Sequence, residues 1–176
     1  MGVSAVFPGT FDPIHYGHID IANRAAAIFD EVIVAVYDKP LKSLIFSPEE
    51  RLHLVREALD GKDGLRVTGY SGMTVEFCRA VGAKAIVRGL RVFSDFEHEF
   101  RMALANHRLA PEIEVCALVT REEHTFLSST TVREIASLGG DVSSMAPPAV
   151  VAALRRRFQE LGDDGAKVAP LTSLRD

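Results

Sequence analysis

Two imidazoles, His15 and His18, stand three residues apart with Gly17 between them, in the run Gly9-Thr10-Phe11-Asp12-Pro13-Ile14-His15-Tyr16-Gly17-His18. The apolar periodicity that follows puts the pair at a helix start, where unpaired backbone amides and the helix dipole favour an anion. Gly17 leaves room for close approach. An ordinary turn is one alternative. A metal is another, since histidines at i and i+3 can share an ion, but no third His, Cys or Glu sits at ligand spacing beside them. A second cluster, Arg88-Gly89-Leu90-Arg91, sets two guanidinium forks around a glycine, a pattern suited to phosphate oxygens. Lys39 and Lys42 add movable positive charge, and Ser128-Ser129-Thr130 offers hydroxyls and amides at another helix start. Glu99 and Asn106 share one helix face, which fits a plain half-buried helix side equally well. Taken singly, each cluster also fits solvated charge or a simple cap. Taken together, they are the groups that gather phosphates and stabilise charge on them.

These residues need a scaffold, and the hydrophobic pattern supplies one. Val3 to Phe7 reads as a buried strand closed by Pro8-Gly9, and Ile19, Ile21, Ala22, Ala25, Ala26 and Phe29 form the apolar face of a helix. Val32 to Tyr37 is a β-branched strand, followed by a Lys- and Pro-bearing loop, Asp38 to Phe46. Ser47 and Glu50 stand in capping-box relation around Pro48 and open a helix to about Leu59. Strands Leu65–Thr68, Ala83–Val87 and Ile113–Val119 then alternate with helices Thr74–Val81 and Asp95–Leu109, the latter with Ser94 and Glu97 as a second capping box. Ser128 to Thr131 with Glu134 begin another helix, and a last helix runs from Pro148 to about Leu161.

This alternation predicts an α/β fold: a doubly wound, Rossmann-like, five-stranded parallel sheet in order 3-2-1-4-5, with helices at the C-terminal end. The expected organisation is one domain over residues 1–161 and an irregular tail over 162–176. In such a sheet the ligand crevice lies beyond the strand C-termini where the order reverses, here between the first and fourth strands. The histidine run and the Arg88 cluster both leave strands at that place.

Bulk properties exclude several classes. A net charge of −4 argues against a general nucleic-acid binder, which needs a surplus of Lys and Arg. The longest aliphatic stretch, Val32 to Val36, falls far short of the about 20 residues that span a bilayer, and no leader pattern precedes the first strand. No membrane association and a cytoplasmic location are therefore expected. Cys78 and Cys116 lie far apart without CxxC spacing and read as reduced core thiols. Neither GxxxxGK[ST] nor GxGxxG occurs, so P-loop nucleotidases and dinucleotide-dependent dehydrogenases recede.

The run Gly9 to His18, joined to Arg88-Gly89-Leu90-Arg91 and Ser128-Ser129-Thr130, closely resembles the bacterial phosphopantetheine adenylyltransferases, members of the HxGH nucleotidylyltransferases. The likeness covers about residues 3 to 160 and includes Asp95-Phe96-Glu97 and Glu99. It implies transfer of AMP from ATP to 4′-phosphopantetheine, with Mg2+ as cofactor bound mainly through the ATP phosphates, a homohexamer, and room for feedback by coenzyme A. By position it also implies that His18 stabilises charge on the α-phosphate, that Thr10 and Lys42 contact the transferred region and the acceptor phosphate, and that Arg88 holds the acceptor. Phe11, Gly89, Leu90, Arg91, Glu99 and the stretch His124, Thr125, Phe126, Leu127, Ser128, Ser129 and Thr130 would surround ATP, while Thr74 and Asn106 would meet the acceptor. His15 stands where many members have Thr, and His124 where an aromatic such as Trp or Tyr occurs. A transferase acting on nicotinamide mononucleotide, or a noncatalytic nucleotide sensor, are the alternatives.

Overall fold

In a computed structural model, which describes residues 2–40 and 43–162, five strands form one parallel sheet in the order β3-β2-β1-β4-β5. The strands are β1 (Ser4–Gly9), β2 (Glu31–Tyr37), β3 (Leu65–Tyr70), β4 (Ala85–Leu90) and β5 (Glu114–Val119). Helices α1 (Tyr16–Ala26), α2 (Pro48–Ala58), α3 (Thr74–Val81) and α4 (Phe93–Leu109) connect them. A 3-10 turn (Glu122–His124), α5 (Ser129–Ser137) and α6 (Pro148–Leu161) follow β5. The expected topology is the observed one; the tail expected from residue 162 falls, from 163 onward, outside the described residues.

Strand side chains alternate between two apolar layers, as a parallel sheet covered on both faces requires. Ala5, Phe7, Val32, Val34, Val36 and Val87 pack into one layer with α1, α2 and α6, while Val6, Ile33, Ala35 and Ile86 pack into the other with Val75 and Cys78 of α3. β1 and β2 are buried almost throughout, and the edge strand β5 is only half covered.

Four local expectations need correction. Pro8 and Gly9 do not turn the chain: they continue β1 in register with Ala35 and Val36, which is open to a parallel neighbour because only the N–H of Pro8 is missing. Likewise Arg88, Gly89 and Leu90 are not loop residues but the last three of β4, paired with Ala117, Leu118 and Val119. Helix α1 stops at Ala26, and Phe29 reaches the core from the turn that follows. Ser94 caps nothing, because α4 begins at Phe93 with Val92 at the cap and no side-chain bond there. The Ser47–Glu50 box, by contrast, is fully formed, with Glu50 N–H to Ser47 Oγ at 3.2 Å and Ser47 N–H to Glu50 Oε2 at 2.8 Å.

Candidate functional site

Beyond the C-terminal ends of β1 and β4 lies an open cavity of about 400 Å³. Its floor begins with an unusual piece of backbone. Phe11 has φ +51°, a left-handed conformation disfavoured for an aromatic residue. That conformation turns its ring back over the strand end, where a methyl on Gly9 would come within 2.7 Å of it. Gly9 is therefore the residue this fold-back demands. The Phe11 ring then meets Phe7 edge-on at 5.6 Å and His18 edge-on at 5.0 Å.

His15 and His18 form a reciprocal cap on α1. The Gly17 N–H donates to His15 Nδ1 at 3.1 Å, and the His15 N–H donates to His18 Nδ1 at 3.3 Å. A ring nitrogen that accepts a bond carries no proton, so the neutral form of each imidazole has its proton on Nε2. The rings stack at 3.7 Å, and His15 is almost fully buried. Burial, with the charges of His18, Arg91 and His124 nearby, holds its pKa well below the usual 6.5 and keeps it neutral. The space over Gly17 is filled by the His15 ring: a methyl there would lie 3.0 Å from Cε1 and Nδ1. The glycine makes room for the histidine pair.

Both arginines of the second cluster border the cavity, and α4 supplies a carboxylate to each. Arg88 bonds Glu99 through Nε and Nη2 at 2.7 and 2.6 Å and reaches the Pro8 carbonyl at 3.1 Å. Arg91 bonds Asp95 through Nε and Nη2 at 2.9 and 3.2 Å and reaches the Leu127 carbonyl at 2.7 Å. Burial raises the Asp95 pKa, but the bonds and charge of Arg91 outweigh it and bring the carboxyl below its usual range. Two parallel bonds hold each guanidinium in a fixed plane. Asp95 was missed as a site residue; its spacing of i+4 from Arg91 was the available signal.

At the third wall, α5 is capped by Ser128, whose Oγ accepts from Thr131 N–H at 3.0 Å, and Ser129 Oγ donates to the Pro13 carbonyl at 2.8 Å. The Ser129 hydroxyl thus ties α5 to the β1 exit while that of Ser128 caps the helix, and what this helix end presents to an anion is its first-turn amides. Glu134 belongs to no capping box, since the N3 position is Thr131.

Of the candidate residues, Thr10, Phe11, His18, Arg88, Gly89, Arg91, Glu99, Ser128, Ser129 and Thr130 line this one cavity. Leu90, His124, Thr125, Phe126 and Leu127 are not part of its lining, although Leu127 contributes the carbonyl that holds Arg91. Thr74 and Asn106 are likewise absent from the lining; the Thr74 hydroxyl lies 3.0 Å from that of Tyr70, and Asn106 sits half-buried on α4. Lys42 falls outside the described residues. Sequence reasoning missed Ile21, against which a methyl on Gly89 would press at 3.3 Å, and Thr120. No group of three His, Cys, Asp or Glu that could hold a metal ion occurs among the described residues.

A family model described as cytidylyltransferase-like matches residues 6–135. A phosphopantetheine adenylyltransferase of Chloroflexus aggregans is 54% identical over 158 residues, covering 90% of this chain and 98% of the relative. One from Heliobacterium modesticaldum is 50% identical over 167 residues, covering 95% and 98%. A solved bifunctional NMN adenylyltransferase/ADP ribose pyrophosphatase from Francisella tularensis superposes with a TM-score of 0.65 at 16% identity, over 92% of this chain and 52% of that one. At that identity the likeness concerns the fold.

Proposed function

From the premise that the chain belongs to the phosphopantetheine adenylyltransferases, within the cytidylyltransferase-like family, we propose that it transfers AMP from ATP to 4′-phosphopantetheine. The products are dephospho-coenzyme A and pyrophosphate. The observation that carries this reading is the single cavity at the reversal of strand order, which gathers His18, Arg88, Arg91, Thr10 and the start of α5.

The acceptor phosphate is already an anionic nucleophile near neutral pH, so the reaction asks for positioning and charge stabilisation rather than a general base. One acceptor oxygen attacks the α-phosphorus in line, its bond forming as the bond to the pyrophosphate oxygen breaks, with no covalent enzyme intermediate. Holding two polyanions in that geometry supplies about 7 to 11 kcal/mol of the barrier reduction. Arg88 grips the acceptor phosphate, Arg91 and the α5 amides face the ATP phosphates, and His18 donates from Nε2–H to the α-phosphate as charge builds there. Losing such a preset donor costs about 100- to 1000-fold in rate, which is the loss expected for His18→Ala. Thr10 and Lys42 complete the acceptor contacts. Phe11, Gly89, Leu90, Glu99 and residues 124–127 flank ATP.

Magnesium enters as the counter-ion of the ATP phosphates. The carboxylates that border the cavity, Asp95 and Glu99, are both engaged by arginines and offer no ready cage of their own. Coenzyme A shares the pantetheine arm of the acceptor and competes with it, and the enzyme works in the cytoplasm. The expected homohexamer would cover the outer face of α4, where Phe93, Phe96 and Phe100 stand exposed in a row of ring contacts suited to an interface.

Pyrophosphate release measured with ATP, Mg2+ and 4′-phosphopantetheine tests donor, acceptor and reaction type together. Release that depends on the acceptor is expected. Release with nicotinamide mononucleotide but not with 4′-phosphopantetheine would overturn the assignment, and ATP binding without release would mark a sensor.

A further inference from the structure

Helix α2 carries a charge where a helix least favours one. Arg51 lies in the first turns after the Ser47 cap, close to the positive end of the helix dipole, and is fully buried. Burial pulls its proton affinity down, while the negative charges of Asp12, Asp38 and Glu49 push it back up. Neither helix formation nor core packing explains such a residue, since an apolar side chain of similar volume would meet both needs at lower cost.

Its bonds do explain it. One guanidinium nitrogen, Nη1, donates to the Thr10 carbonyl at 2.7 Å and to the Tyr37 carbonyl at 2.6 Å, and Nη2 donates to the Asp38 carbonyl at 3.2 Å. Thr10 follows directly on β1 and lines the cavity. Tyr37 ends β2, and Asp38 begins the segment that leads to α2. The other end of that segment is held by the same β1 exit, for Asp12 accepts the Ile45 and Phe46 amides at 3.0 Å each and pairs with Arg133 of α5 at 3.5 Å. Residues 10–12 and the two feet of the 38–46 segment therefore form one closed ring of bonds, in which Arg51 is the rigid spacer.

We propose that Arg51 is a positioning residue for the reaction, its planar guanidinium fixing Thr10 and the start of the 38–46 segment at the separation the acceptor requires. This rests on the adenylyl-transfer reading above. Arg51 touches no substrate itself, and its effect is carried by Thr10 and by the Tyr37–Asp38 strand end it holds. A lysine keeps the charge but offers a point rather than a fork, and cannot hold three carbonyls from two strand ends at fixed spacing.

The test compares Arg51→Lys and Arg51→Ala with Leu54→Ala, a core truncation on the same helix. For Arg51→Lys, kcat/KM for 4′-phosphopantetheine is expected to fall about 10- to 100-fold, with ATP affinity within about threefold of wild type. Guanidinium ion added to Arg51→Ala restores part of the loss. Leu54→Ala lowers Tm without that kinetic signature. Amide chemical shifts supply a readout independent of turnover: in Arg51→Lys those of Thr10 to Asp12 and Asp38 move while those of β4 stay. Wild-type kinetics in Arg51→Lys, unmoved Thr10 and Asp38 amides, or an equal acceptor defect in Leu54→Ala would each overturn the inference. Should Arg51→Ala fail to fold, Arg51→Lys and the amide shifts decide alone. A wild-type protein inactive with 4′-phosphopantetheine refutes the assigned reaction instead, and the amide shifts still decide the role of Arg51.

Discussion

Gly17→Ala separates stability from chemistry at the histidine pair. The substitution adds one methyl at the second position of α1, where helix propensity favours alanine over glycine by up to about 1 kcal/mol. That methyl would lie 3.0 Å from two atoms of the His15 ring, so the ring must give way by a few tenths of an ångström. It has little freedom to do so: it is almost fully buried, bonded to the Gly17 N–H at 3.1 Å, and stacked on His18 at 3.7 Å. The displacement passes through the stack to His18, and crowding of this kind costs about 1 to 3 kcal/mol in a packed site. The propensity gain offsets part of that, and a net loss of about 1 kcal/mol shifts Tm by about 2 to 4 °C in a chain of this size. Catalysis is far less tolerant, because misplacing a catalytic group by about 1 Å costs about 100-fold. A tenths-of-an-ångström shift of His18 is accordingly expected to lower kcat about 10-fold. Thermal unfolding and initial-rate pyrophosphate release on the same preparation measure both quantities. A variant whose kcat stays within about threefold of wild type would show that the contact does not transmit to His18.

Three further outcomes follow from the geometry. Arg88→Lys exchanges the fork that also holds Glu99 for a single ammonium, and should raise KM for the acceptor about tenfold in steady-state assays. His15 is neutral when folded, with a pKa held well below 6.5 by burial and neighbouring charge, whereas the unfolded chain binds a proton there. Stability should therefore fall as pH drops through about 6.5, and calorimetry between pH 7.5 and 5.5 should show a shallower fall for His15→Asn, which keeps a capping side chain. Burial pushes the Cys78 thiol up to about 11, so in folded protein at pH 8 mass spectrometry after alkylation should find Cys116 modified well before Cys78.

The topology and the main site clusters were legible because each rests on local chemistry: β-branched runs for the strands, the Ser47–Glu50 box for α2, a glycine beside paired histidines. Errors arose where tertiary pairing overrides local signals. Pro8-Gly9 and Gly89 look like turn formers, yet both belong to strands, because Pro8 still fits a parallel neighbour and Gly89 lets α1 approach β4. Ser94 resembles a cap, but the Arg91–Asp95 pair starts α4 earlier, with Asp95 also accepting the Arg91 backbone N–H at 3.1 Å. Arg51 left no mark in the sequence, since an arginine in the polar helix PEERLHLVREA reads as surface charge until the strand ends beneath it are known.

The bonds that close the cavity span most of the polypeptide: Arg88 to Pro8 across 80 positions, Ser129 to Pro13 across 116, and Arg133 to Asp12 across 121. During synthesis, then, a nascent chain has no complete cavity until α5 has left the ribosome. A chain that ends before that helix lacks the Ser129 and Arg133 bonds to the β1 exit, so its cavity is left without one wall. Parallel strands that pair only after long excursions also fold slowly. Closure of the cavity therefore waits on contacts between the two ends of the described chain.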